Sequence, residues 1–164
     1  MAGIIAKRVC GEIEGPFVLF LIGVRINRLL AVKSWLPTVK AMRPMITELM
    51  QQPALGLLHA RTHFGFPDIM LVQYWRSYAH LEAYAAAREH RHLPAWTQFN
   101  KAVGSNGDVG IWHESYLIDP GQYESVYNNM PTWGLAAAGT MHDATGPRAR
   151  ASGRRQVQVT GPAE

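Results

Sequence analysis

Four side chains have the types and the spacing to act together on a small molecule: Arg25, His59, Gln73 and His113. Each stands in a short run of Val, Ile, Leu or Phe, the composition of a β-strand. Strand side chains alternate between faces with a period of two. On the first run, Leu19, Leu21, Gly23, Arg25 and Asn27 share a face; on the second, Leu55, Leu57, His59, Arg61 and His63. The third offers Ile69, Leu71, Gln73 and Trp75, and the fourth Val109, Ile111, His113, Ser115 and Leu117. Each set begins apolar and ends polar, so together they outline an apolar pocket with a few convergent polar groups. A neutral His59 or His113 would act there as general base, and Arg25 with Gln73 would hold an oxyanion. Asn27 and Trp75 fall near the mouth. A plainer alternative pairs Arg25 with Glu114 and leaves each histidine bonded to backbone. Tyr74, Trp112, Glu114 and Tyr116 occupy the opposite faces of the last two runs.

Two helices must position these strands. Leu36, Val39, Met42, Ile46, Leu49 and Met50 recur at helical spacing after Ser34, a plausible N-cap, and Pro53 closes the run. Ser77 caps a second helix with Tyr78, Leu81, Ala85 and Arg88 on one face. Pro94 opens a short third one carrying Trp96. The strands are expected over Phe17 to Ile26, Leu55 to His63, Ile69 to Trp75 and Val109 to Ile118. The order β-α-β-β-α-β is that of a ferredoxin-like α+β fold with a four-stranded antiparallel sheet. Helices cover one face of such a sheet. The other is also largely apolar, and a second copy of the sheet is its economical cover. A homodimer closed as an α/β barrel is therefore expected.

The chain has 164 residues, 48% hydrophobic and 17% charged, which suits a single globular domain and excludes a mainly disordered chain. Its boundaries are expected at an N-terminal arm (1–15), the α/β domain (16–118), a C-terminal extension (119–144) and a disordered basic tail (145–164). The net charge of +4 is mostly in that tail, where four arginines face one acid. No basic face remains for specific nucleic-acid binding. One cysteine, Cys10, excludes an internal disulfide and favours a reducing, cytoplasmic setting. The apolar run from Phe17 to Val24 is too short to span a membrane. His90 and His92 are two apart and do not share a helical face, so no metal site is expected.

Several segments carry a family resemblance: Glu12-Ile13-Glu14-Gly15 with Phe17 to Asn27, Trp35-Leu36-Pro37, Tyr74-Trp75-Arg76-Ser77, Leu81-Glu82-Ala83-Tyr84 and Gly110 to Glu114, continuing through Tyr127-Asn128-Asn129-Met130 to Leu135. Over roughly residues 8–139 the chain resembles the small antibiotic-biosynthesis monooxygenases of the dimeric α/β-barrel superfamily. Within these it is similar to the branch containing the monooxygenase-like protein of fumagillin biosynthesis. The resemblance implies oxidation of a small hydrophobic secondary metabolite without a cofactor, or its isomerisation or cyclisation; the alternation of the strands puts Gln73, Asn27 and Trp75 against that substrate, and Trp96 is the further candidate contact. The carbanion left by proton removal would reduce oxygen directly. Haem-degrading members of the superfamily use an Asn on the first strand with a Trp and a His on later helices. Asn27 matches the first, but Trp96 stands near the helical His position, so that set is not reproduced. A haem-binding barrel enzyme and a non-catalytic carrier of an apolar ligand remain the alternatives.

Overall fold

A computed structural model of the chain describes residues 3–87, 97 and 104–160. The chain divides into two compact units, residues 19–116 and residues 1–18 with 117–164.

The central unit is built on β2 (Phe17–Ile26), α1 (Val32–Gln51), β3 (Leu57–Phe64), β4 (Asp68–Trp75), α2 (Tyr78–Ala86) and β5 (Val109–Ile118). These strands form a four-stranded antiparallel sheet in the order β3-β4-β2-β5. That is the ferredoxin-like arrangement: the β2–α1–β3 crossover leaves a gap that β4 fills, and the β4–α2–β5 crossover passes over β2. On α1, Trp35, Val39 and Met42 pack at three- and four-residue spacing on Val24, Val109 and Ile111. Ser77 caps α2, its Oγ accepting from the His80 amide at 3.4 Å. Ser34 does not cap α1. The turn that closes Ala31 N–H on the Arg28 carbonyl starts the helix at Val32, so the Ser34 hydroxyl lies inside the first turn and bonds Asp108 at 2.8 Å. A single chain forms an open sheet and not a closed barrel.

In the second unit, residues 5–12 of the expected N-terminal arm form β1 (Ile5–Glu12), the central strand of a sheet with β6 (Tyr127–Met130) and β7 (Thr140–Asp143) on its two sides. The five-residue helix α3 (Gly134–Ala138) lies on β1 at Gly11, where a Cβ would strike the Ala136 backbone. The 145–164 segment is not disordered over its described part: a 3₁₀ turn (Gly146–Arg148) leads into α4 (Ala151–Thr160). Arg148 forks onto Glu12 at 2.7 and 3.0 Å, and the buried Arg154 bonds Glu124. Gln158 donates to the Tyr123 carbonyl and accepts from the Gly121 amide. These partners are far away in sequence, so a window of tail composition does not contain them. Among the described residues no helix is long and apolar enough to cross a membrane.

Candidate functional site

Contacts fix the face of every strand in the central sheet. Val24 packs on α1, so Val18, Phe20 and Ile22 share the helix-covered face, while Leu19, Leu21, Gly23 and Arg25 lie on the other. On β4, Trp75 stacks against Tyr84 of α2 with ring centroids 6.0 Å apart, and its Nε1–H donates to Gln73 Oε1 at 2.8 Å. Leu71, Gln73 and Trp75 are therefore buried under the helices, and Asp68, Met70, Val72 and Tyr74 take the open face. On β3 the register breaks between Leu57, opposite Trp75, and His59, opposite Tyr74. This bulge leaves Leu57 on the helix side and carries His59, Arg61 and His63 to the open face. On β5, Val109 and Ile111 join the α1 core, and the His113 ring lies 5.6 Å from Phe20. Gly110, Trp112, Glu114 and Tyr116 are the open-face set; a Cβ on Gly23 would lie about 2.5 Å from the Trp112 indole.

The expected constellation is therefore split by the sheet. Gln73, Trp75 and His113 belong to the helix side, and only Arg25 and His59 share the open face. Those two do not converge either. Arg25 pairs with Asp68 at 2.8 Å, at the start of β4, whereas His59 sits opposite Tyr74 near its end. Six residues of strand separate these points, about 20 Å at about 3.3 Å per residue. Arg25 pairs with Asp68 and not with Glu114, whose carboxylate accepts from the Tyr116 hydroxyl at 2.6 Å. Asn27 Nδ2 donates to the Gly107 carbonyl at 3.2 Å, at the Arg25 end. Trp96 and the His90–His92 pair lie outside the described residues.

The remaining centre is His59. Its Nε2 is buried and has no hydrogen-bond partner among the described residues. Burial, and next the nearby Arg61 guanidinium, hold its pKa below the ordinary histidine value, which favours a neutral ring with basic character. Around it the open face offers half-buried Leu19, Leu21, Met70, Val72, Tyr74 and Trp112. Trp112 was not among the expected site residues. The signal for it was Gly23, a lone glycine inside an apolar strand, which marks a close approach. Among the described residues no group of three or more His, Cys, Asp or Glu side chains could hold a metal.

Residues 17–135 match the family model described as Monooxygenase af470-like. No curated protein matches the chain significantly. Among solved structures it is similar to SnoaB, a cofactor-independent oxygenase from Streptomyces nogalater, at 12% identity and TM-score 0.44, over 61% of this chain and 90% of that one. An antibiotic biosynthesis monooxygenase shares 13% identity at TM-score 0.42, over 62% and 96% of the two chains. A dimeric ferredoxin-like protein from Jannaschia sp. CCS1 shares 17% at TM-score 0.42, over 59% and 97%.

Proposed function

The chain belongs to the Monooxygenase af470-like family, and on that footing we propose that it is a cofactor-independent monooxygenase acting on a small hydrophobic molecule at the open face of its central sheet. The observation that carries this reading is the buried, unpartnered Nε2 of His59. A buried polar atom without a partner costs stability, and a catalytic role is one of the reasons such an atom persists. A neutral imidazole held low by burial can take a proton from a phenol or an activated C–H. The resulting enolate or carbanion gives one electron to dioxygen. The radical pair then joins through a new C–O bond, and the hydroperoxide loses water to leave a carbonyl. Dioxygen is the oxidant, one of its atoms ending in product and the other in water. Arg61 and Tyr74, which share the face with His59, are the groups assigned to the developing oxyanion, in place of Arg25 and Gln73.

A second copy of the chain covers the half-buried apolar face in this proposal. It turns an open sheet into a closed chamber where an apolar substrate is shielded from water. A cytoplasmic setting accompanies it. Light scattering that finds a stable monomer at micromolar concentration removes the cover.

The test is oxygen uptake with a surrogate hydroquinone or anthrone. His59→Gln keeps size and hydrogen bonding but not the base, and its rate is expected to fall by about 10²–10⁴ with little change in KM. Full activity in this variant removes the base. Tight binding without turnover in the wild type then favours the carrier, and a Soret band on haem addition that His59→Gln abolishes favours the haem protein.

A further inference from the structure

The three most exposed large apolar side chains among the described residues are Leu30, Phe64 and Phe66, at 96%, 80% and 73%. All three lie at one end of the central sheet. Leu30 follows β2, and Phe64 and Phe66 flank the hairpin between β3 and β4. The Ile26 amide bonds the Pro67 carbonyl at 2.9 Å, which holds the hairpin beside the end of β2. Leu29, also exposed, extends the group, and its carbonyl is anchored by Trp35 Nε1 at 3.0 Å. The tip is therefore preformed: its apolar side chains project from loops whose backbones are already bonded. Removing this much apolar surface from water is favourable, yet none of the described residues of the unit does it.

We infer that this end of the sheet is a docking tip for the surface of an anionic phospholipid bilayer, with Leu30, Phe64 and Phe66 inserting among the acyl chains. Two features favour lipid over a protein partner. The four side chains offer on the order of 500 Å² of apolar surface, at roughly 150–250 Å² per aromatic side chain. A stable protein interface takes about 800 Å² from each partner. They also project outward, as wedges that a fluid surface can receive without a complementary pocket. The charge around the tip fits the same occupant. Among the described residues next to the tip in sequence, Arg25, Arg28 and Lys33 stand against Asp68 and Asp108, a surplus of one cation. Both acids are already engaged, Asp68 by Arg25 at 2.8 Å and Asp108 by Arg28 at 3.2 Å. Shallow apolar insertion with a cationic rim is the recipe for reversible binding to anionic interfaces. Docking of this kind places the protein beside a reservoir of apolar small molecules and does not depend on the reaction at His59.

The experiment is flotation of the full chain with vesicles of equal parts phosphatidylcholine and phosphatidylglycerol, and with phosphatidylcholine alone. The wild type is expected to float with the mixed vesicles, more weakly with the neutral ones, and less as salt is raised. The combined Leu30→Ser, Phe64→Ser, Phe66→Ser variant should lose roughly tenfold or more in partitioning. Its melting curve should match the wild type, because the three side chains are mostly in water. If the triple variant fails to fold, Phe66→Asp alone at the exposed turn gives the same reading. The inference is overturned by a wild type that does not float, or by variants that float equally well. It is also overturned if the substitutions convert an oligomer to a monomer without vesicles, since the tip then binds a second copy.

Discussion

Arg154→Ala is the perturbation whose size the structure sets most directly. The Arg154 side chain is 4% exposed, its Nε donates to Glu124 at 2.7 Å, and its Nη1 reaches the carbonyls of Arg148 and Ala149 at 3.1 and 3.2 Å. Alanine removes the cation and leaves one carboxylate and two carbonyls without it. Breaking a buried pair from one side costs about 3–5 kcal/mol. Glu124 is 34% exposed, so water recovers part of its solvation, and about 2–4 kcal/mol is the better expectation. At about 2–4 °C per kcal/mol for a chain of this size, the melting temperature should fall by about 5–15 °C. Thermal unfolding of the full chain by circular dichroism measures this. Arg154→Lys keeps the charge but not the fork, so it should fall between the two. Removal of everything after Ala144 should lower the melting temperature at least as much as Arg154→Ala. A melting temperature for Arg154→Ala within about 2 °C of wild type would falsify the docking of α4, and the tail would return to being an appendage.

Other expectations follow from single contacts. Folding stabilises the neutral ring of His59, so that contribution is present above its ordinary value of 6.5 and is lost as pH falls through the lower folded pKa. His59→Gln should therefore flatten the acid side of the stability–pH curve, and wild-type turnover should rise with pH through a midpoint below 6.5. Gly23→Ala pushes a Cβ into the Trp112 indole and should cost about 1–3 kcal/mol with a changed near-UV spectrum; an unchanged spectrum contradicts the stacking. Gln73→Leu strips the partner from the buried Trp75 N–H and should cost about 1–3 kcal/mol, while the pH profile of any turnover keeps its shape. Cys10 is 1% exposed and its thiol is pushed up by burial and then by Glu12, so it should react with a thiol reagent only after denaturant is added. Fast labelling of the native protein contradicts that burial.

The ferredoxin-like order was legible from the sequence because strand and helix periods are local. Phe17–Ile26 and Val109–Ile118 are strands with the expected bounds, and Ser77 caps α2 through its own neighbourhood. Family membership was legible for a similar reason, since its segments are contiguous. The faces were not. A period of two sorts a strand into two sets but does not say which set meets which set of the next strand. On the first two strands the plain apolar sets do mark the helix side, with Val24 under α1 and His59 on the other face; on the last two, aromatic and polar groups stand on both faces and composition gave no preference. The bulge between Leu57 and His59 then shifted one strand by a residue, and β5 joined with Val109 and Ile111 toward α1. Those two events divided Arg25, His59, Gln73 and His113 between the two sides of the sheet and left His59 as the proposed centre. The tail failed for a related reason. Arg148 finds Glu12 across 136 residues and Arg154 finds Glu124 across 30. A segment poor in apolar residues can still be ordered when its charges close on partners that only the folded chain brings within reach.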